Sequence, residues 1–319
     1  MIRQTLMITL LTACGMICPA QESGAEEAVQ VAQSADACRA AAAAGDAAAQ
    51  YELSRCYFTG AGVALSTATA LQWLRKSAEQ GFAEAQCNLA ECYADGIGVQ
   101  KDAQEAASWW VKAAQQNHAE AQFRLGMAHL KGEGVIKSDT LGLAWLERTA
   151  RQNHVEALYQ LGLCRLEGTG GNRNESEAVS LLRRAAESGH AHAACRLGYC
   201  LLEGIGCEKN AEDGVSYLLR AADGLCDSAA LILARCYEHG VGAPADAGLA
   251  FDWCLRAANA GIAEAQYQLG IYLEEGRGCK KNESKALKWY KKAAEQNHTE
   301  AQNRLKIISE KKSEQEEKS

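Results

Sequence analysis

Histidine and cysteine are the residue types of this chain best suited to chemistry, because they act as metal ligands, proton carriers and nucleophiles. The chain of 319 residues contains 7 histidines and 14 cysteines. None of them falls in a spacing that such sites use, since H-E-x-x-H, C-x-x-C and phosphate-binding glycine loops are all absent. His190 and His192 are two residues apart, so on a helix their side chains diverge. We therefore predict no catalytic residue, no metal and no cofactor.

Both residue types instead recur at fixed phases of a repeat, which favours a structural role. One phase contains the histidines His118, His154, His190 and His298, and a second contains the cysteines Cys56, Cys92, Cys164, Cys200 and Cys236. A cysteine that recurs in this way is typical of a small buried apolar residue. Disulfides between successive members are not expected, because their helices should lie beyond the ~7 Å between Cα atoms that a bridge tolerates. Cys236 and Cys254 fall on facing helices of one unit, and we name them as the candidate disulfide.

The repeat has a spacing of 36 residues and continues through the chain without insertion. Its units open at Gly45, Gly81, Asn117, Asn153, Gly189, Leu225 and Gly261, and Asn297 opens a partial eighth. The fifth residue of each unit is alanine and the ninth is leucine, which places both on one face of a first helix, helix A. At Leu225, which departs from the Gly/Asn pattern, we expect Gly224 to end the preceding helix instead.

A pair of glycines ends helix A and a polar cap begins a second helix, helix B. The glycines are separated by one residue, as in Gly60 and Gly62, and glycine reaches positive φ without steric cost. Four residues later comes a residue with a side-chain oxygen: Ser66, Asp102, Ser138, Asn174, Asn210, Asp246 or Asn282. We expect bulky residues such as Trp73, Trp109 and Trp145 to point inward from helix B.

These elements predict an all-α protein, a right-handed α/α solenoid (superhelix) of seven 36-residue helix-turn-helix repeats between helical caps. The repeats span 45–296, after a linker and N-terminal capping helix over 21–44. A C-terminal capping helix should cover 297–310, and the charged tail 311–319 is expected to be disordered.

The pattern A-x-x-x-L-G-x-x-Y-x-x-G-x-G-V, a polar cap and then A-L-x-W-x-x-K-A-A resembles the Sel-1-like repeat, a relative of the tetratricopeptide repeat. The match is best over 85–114 and 265–294 and extends over 45–310. The resemblance implies a scaffold for protein partners. It also carries an alternative, because some exported, cysteine-rich members resemble penicillin binders or β-lactamases. Their bridging cysteines correspond here to Ala78 and Gln86, and the one S-x-x-K, Ser309 to Lys312, lies at the end of the last helix, so we predict no enzyme.

The N-terminus resembles an export signal, in which Arg3 precedes an apolar run over 6–13. One interpretation is a signal peptide over residues 1–20. The other is a lipoprotein signal cut before Cys14, which would become lipidated. The run is too short to cross a bilayer, so a lipid anchor is the one membrane attachment that we expect. These features predict a bacterial extracytoplasmic protein in the periplasm, attached to the envelope or secreted, and the secreted form would suit a host-interaction factor.

We expect a monomer that binds a protein or peptide through the concave face formed by the A helices. We expect no nucleic-acid partner, because the net charge is −7 and no basic stripe is present. Recognition should use positions that vary while the repeat is kept, such as the eleventh and fourteenth residues of a unit, which share one helical face. In units three to five these are apolar: Met127, Leu130, Leu163, Leu166, Tyr199 and Leu202. The sequence leaves open whether this apolar strip is an exposed interface or part of the core.

Overall fold

The computed structural model describes residues 38–316, and over that range it contains helices and no strand. The A helices are α1 Ala47–Thr59, α3 Ala83–Asp95, α5 Ala119–Lys131, α7 Val155–Glu167, α9 Ala191–Glu203, α11 Asp227–His239 and α13 Ala263–Glu275. The B helices are α2 Thr67–Glu79, α4 Ala103–Gln115, α6 Asp139–Arg151, α8 Glu175–Glu187, α10 Ala211–Asp223, α12 Ala247–Asn259 and α14 Glu283–Glu295, and α15 Thr299–Glu316 ends the series. The predicted fold class, an α/α solenoid of seven helix-turn-helix repeats, is confirmed.

The chain divides into two compact units, which are described separately. The first ends at Gln152 and contains α1 to α6, and the second begins at Asn153 and contains α7 to α15. Before α1 the backbone is helical over 38–43, within the range predicted for the N-terminal capping helix. The buried Gln50 on α1 donates from Nε2 to the carbonyl of Ala42, which ties this short helical segment to the first repeat (3.1 Å).

The predicted turn chemistry is present in every repeat. The first glycine of each pair ends helix A in the left-handed region, with φ between 69° and 79°. All seven predicted caps begin helix B, and each side-chain oxygen accepts a bond from a backbone N–H of the first turn. Asp246, for example, accepts from the amide of Leu249 at 2.9 Å.

The second glycine is required by close approach as well as by its positive φ. A Cβ added at Gly134 would overlap the carbonyl group of Ala103, at the start of the preceding repeat's helix B. In the second unit, a Cβ at Gly278 would overlap the carbonyl group of Ala247 in the same way. The turn of one repeat therefore packs directly on the backbone of the preceding helix B.

The core of each repeat is filled by the predicted leucine of helix A and by one residue of helix B. The leucines are at most 2% exposed: Leu53, Leu89, Leu125, Leu161, Leu197, Leu233 and Leu269. Their helix B neighbours are at most 8% exposed: Leu74, Trp110, Leu146, Leu182, Leu218, Cys254 and Tyr290. Each of the latter directly follows the bulky residue that we expected to point inward, which is itself buried at Trp109 and Leu181 and half-buried in the other repeats.

The bulky residues of helix B lie at the edge of the core beneath cationic side chains. Lys112 Nζ lies 3.5 Å from the ring centroid of Trp109, and Lys76 Nζ lies 4.3 Å from that of Trp73. The cation stands three residues after the ring, so the two share one helical face. These cation–π contacts explain why an aromatic residue is followed by Lys or Arg in most repeats.

Buried glutamines connect neighbouring repeats. Gln122 on α5 donates to the carbonyl of Ala114 (3.1 Å) and accepts from Gln152 Nε2 (2.7 Å). The same pair of bonds occurs at Gln50, Gln86 and Gln266. Leu158, Ala194 and Ala230 occupy the equivalent position in the fourth, fifth and sixth repeats. The polar connection is therefore replaced by apolar residues in the middle of the sequence.

Two elements differ from the sequence-based expectation. Leu225 itself adopts the left-handed conformation (φ 62°), whereas Gly224 has φ −80°. Gly224 is needed for space, because its Cβ would lie 2.6 Å from that of Ala191. In addition, α15 ends at Glu316, so helix continues past residue 310 into the segment expected to be disordered. That segment is rich in Glu, Lys and Gln, which are good helix formers.

Replacing Leu225 by glycine should stabilise the protein. Leucine in the left-handed region is strained by roughly 1–2 kcal/mol, whereas glycine is not. The side chain is 80% exposed, so its removal forfeits little packing. We expect Leu225→Gly to raise the free energy of unfolding by about 1 kcal/mol in urea denaturation. The matched control is Gly189→Leu, where φ is 89° and an added Cβ meets nothing within 4 Å. It should destabilise by a similar amount, and equal stability of both variants and wild type would contradict the strain.

Replacing one buried glutamine by alanine should lower the free energy of unfolding more than replacing both glutamines of a bonded pair. Gln122→Ala leaves the carbonyl of Ala114 and the amide of Gln152 without this partner, a loss of about 1–3 kcal/mol. The control Gln122→Leu/Gln152→Ser introduces the residues found at the equivalent positions 158 and 188 of the next repeat. It should be less destabilised than Gln122→Ala in urea denaturation. The reverse order would show that the glutamine bonds add nothing beyond packing.

Candidate protein-binding face

The residues of the predicted apolar strip fall in both compact units and differ in exposure. In the first unit, Met127 and Leu130 on α5 are both half-buried. Leu130 packs on helix B of its own repeat, because a Cβ added at Gly142 would meet its Cγ and Cδ2 at 2.7 Å. Met127, at the eleventh position, is therefore the better placed of the two to contact a partner.

In the second unit the two positions differ in exposure in the fifth repeat but not in the fourth. Leu163 and Leu166 are half-buried, and Tyr199 is 39% exposed. Leu202 is 6% exposed and packs on Gly214, where an added Cβ would lie 3.0 Å from its Cγ. Leu202 thus belongs to the core, whereas the eleventh-position residues Leu163 and Tyr199 reach the surface. That these residues bind a partner stays a prediction.

Ion pairs accompany the eleventh position in the first unit. Arg124 on α5 pairs with Glu91 on α3 at 3.3 Å and with Glu120 of its own helix at 2.6 Å. Burial disfavours the charge of Arg124, but the two carboxylates outweigh it and raise the pKa of the guanidinium. Around Arg124 the face therefore carries charges that are paired within the protein, whereas at Met127 it is apolar.

A second polar network lies at the fourteenth position of the sixth repeat. Glu238 accepts from Tyr272 Oη at 2.8 Å and pairs with Arg277 at 2.6 Å. Burial, followed by the bond to Glu238, raises the pKa of Tyr272. Glu238 and Tyr272 border a cavity of about 260 Å³ together with Arg235 and Gln268. The partners of Glu238 are 34 and 39 residues away in sequence, so the repeat pattern does not reveal them.

The histidines that share one phase are caps of helix A. Nδ1 of His118, His154, His190 and His298 accepts from the backbone amide three residues on. This agrees with the structural role that the phase indicated. The sequence did not reveal their second contact: His190 Nε2 lies 2.9 Å from Glu156 Oε2, and His298 Nε2 lies 3.0 Å from Glu264 Oε2. Each pair joins the start of one helix A to the preceding one.

Aromatic rings extend the histidine caps along the face. The ring of Tyr159 stacks on His190 with centroids 4.5 Å apart, and Tyr267 lies 4.9 Å from His298. The hydrogen bond from His190 is the main reason that the pKa of Glu156 lies below its usual range. The fourth and seventh residues of a unit therefore contribute to this face. The predicted binding residues were restricted to the eleventh and fourteenth positions and therefore did not include the fourth and seventh.

The cysteines of the shared phase are buried on α3, α7, α9 and α11, apart from the half-buried Cys56 on α1. Burial raises the pKa of Cys92 to about 12 and that of Cys200 to about 11. Cys236 and Cys254, the candidate disulfide, are both buried free thiols, and the structure contains no bridge between them. Cys254 instead donates to the carbonyl of Ala265 at 3.4 Å. Cys14, the candidate lipidation site, lies outside the described residues.

The positions that are bridged by cysteines in the penicillin-binder-like members are connected differently here. Gln86 Nε2 donates to the carbonyl of Ala78 at 3.1 Å, so a hydrogen bond links the end of helix B to the next helix A. Ser309 of the S-x-x-K sequence is exposed on α15. Within residues 38–316, no three His, Cys, Asp or Glu side chains are grouped to hold a metal ion. No helix described in that range is long and apolar enough to span a membrane.

Comparison with known proteins identifies the repeat. The model of the Sel1 repeat matches seven consecutive segments: 47–82, 83–118, 119–154, 155–190, 191–224, 227–262 and 263–298. The chain belongs to the Sel1 repeat family. The matched segments confirm the predicted number of repeats. The comparison with curated proteins finds no match.

Two solved Sel1-type structures resemble this one at 31% sequence identity. One is a protective antigen present in uropathogenic Escherichia coli strains displaying an SLR fold, with a TM-score of 0.80 over 85% of this chain. The chain spans 58% of the length of that protein. The other is a Sel1 repeat protein from Oxalobacter formigenes, with a TM-score of 0.68 over 76% of this chain and 96% of its own. Sel1 solenoids commonly mediate protein–protein interaction, and the fold is typical of scaffolds rather than enzymes.

The Glu156–His190 pair should make a small, pH-dependent contribution to stability. A carboxyl whose pKa is lowered by folding stabilises the protein above its ordinary value of about 4.3, and the effect is lost as pH falls through the lowered value. Because Glu156 is partly exposed, we expect Glu156→Gln to cost at most about 1 kcal/mol at pH 7. The difference from wild type should vanish near pH 3 in urea denaturation. Glu167→Gln, an exposed control on the same helix, should be neutral at both values, and a pH-independent loss at Glu156 would contradict the linkage.

Proposed function

We propose that this Sel1 repeat protein is an exported scaffold that binds a protein or peptide through the eleventh-position residues of its A helices. Met127 provides the apolar contact in the first unit, and Leu163 and Tyr199 provide it in the second. The observation that carries the proposal is the exposure of Tyr199. Its side chain is 39% exposed, more than any other large hydrophobic side chain described on the seven A helices. Tyrosine is enriched at interface hot spots because it combines a large apolar area with a polar tip.

The polar surroundings of these residues support the proposal. The charged side chains of this face, such as Arg124 and Glu238, already have partners within the protein. A ligand that packs on the apolar residues therefore leaves these ion pairs intact and avoids the cost of desolvating unpaired charge. Peptide backbone or an apolar helix face is a better match than a highly charged ligand.

Export is supported by the apolar run and small residues at the N-terminus. The partner would then be a protein of the envelope or of the extracellular space. The two processing alternatives lead to different attachments. A cut after Ala20 releases a freely diffusing scaffold, whereas lipidation of Cys14 fixes it to a membrane surface. Stable anchoring by acyl chains favours a scaffold that assembles its partners at that surface.

The test is crosslinking followed by capture from separated cell fractions, with a Met127→Asp/Leu163→Asp/Tyr199→Asp variant beside wild type. We expect the triple variant to capture at least about tenfold less of the crosslinked partner than wild type, because a buried aspartate disfavours an apolar interface. The control is Ile136→Asp, which changes an 89% exposed apolar residue on a turn and should leave capture unchanged. Circular dichroism verifies that both variants are folded.

The same fractions test export through the mass of the mature N-terminus. Recovery in the envelope or medium, beginning at Gln21 or at a lipidated Cys14, is the expected result. An intact N-terminus in the cytoplasm would overturn the export proposal. A folded triple variant that captures the partner as well as wild type would overturn the assigned binding residues.

A further inference from the structure

The contact between the fifth and sixth repeats differs at two residues from the equivalent contacts between other repeats. Where α7 and α13 carry Glu156 and Glu264, α9 carries His192. Where the next repeat begins with a histidine cap, the sixth repeat begins with Cys226. The carboxylate–imidazole pair is thereby replaced by an imidazole–thiol pair, with His192 Nδ1 and Cys226 Sγ 3.3 Å apart.

A second thiol contacts the first. Cys195 lies one turn beyond His192 on α9, and its side chain lines the same cavity as that of Cys226. The two cysteines belong to different phases of the repeat. Cys195 is the seventh residue of its unit and Cys226 the second of the next, which brings side chains of neighbouring repeats together. Both cysteines are buried but free of any disulfide.

The two thiols open onto a cavity within the second unit. Its volume is about 460 Å³, and its lining includes Tyr159, His192, Cys195, Arg196, Tyr199 and Cys226. The cavity is wide enough for a small organic molecule. Arg196 provides a fixed positive charge beside the thiols, which favours a ligand that carries a carboxylate.

The surroundings distinguish the two sulfurs chemically. Cys226 immediately precedes α11, and the neighbouring Cys195 and His192 side chains lower the pKa of its thiol despite burial. The proximity of Cys226, followed by burial, raises the pKa of Cys195. The groups that face Cys226 are Tyr159 from α7, and His192, Cys195, Arg196 and Tyr199 from α9. The surroundings of Cys226 thus favour its thiolate, whereas those of Cys195 favour the protonated thiol.

We propose that Cys226 and Cys195 form a thiol–disulfide exchange site for small disulfides that carry negative charge. The thiolate of Cys226 attacks one sulfur of the ligand, an S–S bond forms between them, and the ligand's own S–S bond breaks to release a first thiolate. Cys195 then gives up its proton to His192 and attacks the sulfur of Cys226. The Cys195–Cys226 disulfide forms and the second thiolate leaves. Two protein thiols are oxidised and one ligand disulfide is reduced to two thiols.

The probe for this site is dithiodipropionate, a small disulfide with two carboxylates, added to fully reduced protein. Its cationic counterpart cystamine serves as the matched control for charge. We expect the anionic disulfide to react about tenfold faster than cystamine, because Arg196 attracts its carboxylates. Arg196→Gln should remove that preference. Mass spectrometry should find the Cys195–Cys226 bridge as the product and two released thiols for each bridge.

Variants separate the roles of the two sulfurs. Cys226→Ser should abolish the fast reaction, whereas Cys195→Ser should stop at a stable mixed disulfide on Cys226 with one thiol released. His192→Asn should shift the pH midpoint of the fast phase upward by about one unit, since a partner of the thiolate is lost. The control Cys200→Ser removes a buried thiol of high pKa and should leave the fast phase unchanged. Circular dichroism establishes that each variant is folded.

The proposal predicts that at pH 6 Cys226 reacts about tenfold faster than an ordinary exposed thiol, because thiolate content outweighs the lower nucleophilicity of a weak base. A fast phase that persists in folded Cys226→Ser protein would overturn the assignment of the attacking thiol. Release of two thiols by Cys195→Ser protein would overturn the assignment of the resolving thiol. Reaction of wild type at the rate of Cys226→Ser protein with both probes would overturn the site as a whole.

Discussion

The close approach of each interhelical turn to the preceding helix B is the constraint on which the rest of the structure depends. At Gly134 and Gly278 the space for a Cβ is occupied by the backbone of the preceding repeat. An insertion in the turn or a side chain at the second glycine would separate the two elements. The alanines and leucines of the core lie at fixed distances from this contact, so the absence of insertions follows from the packing of backbone on backbone. Within this frame, the outward positions of helix A vary freely.

Much of the frame could be predicted because it depends on local chemistry. A cap such as Ser66 or Asp246 acts on the next turn of its own helix, and the first glycine of each pair acts on its own φ, so both are readable from short stretches of sequence. The inward residue of helix B was harder to place. Trp253 and Cys254 are adjacent, and the rotation of the helix against its neighbours buries the small cysteine completely and leaves the larger tryptophan half-buried.

Chemistry between repeats was not predictable in the same way. His192 and Cys226 are 34 residues apart, and their sequence spacing resembles no known motif. Neither residue forms a recognisable pattern at its own repeat position, because the contact joins the fourth position of one repeat to the second position of the next. When the two positions are considered together, the Glu–His pair of other repeats is seen to be replaced by a His–Cys pair. The exposure of Tyr199 against the burial of Leu202 likewise depends on helix rotation, which the sequence left open.

The glutamine bonds join residues 30 apart within a repeat and 8 apart between repeats, and the histidine bonds between repeats join residues 34 apart. Such contacts close only short loops, and their number grows in proportion to the number of repeats. The loop-closure entropy of each bond is therefore independent of chain length. A chain of this kind can lengthen or shorten by one repeat in evolution without slowing its own folding, and the surface available for new partners changes by one helix at a time.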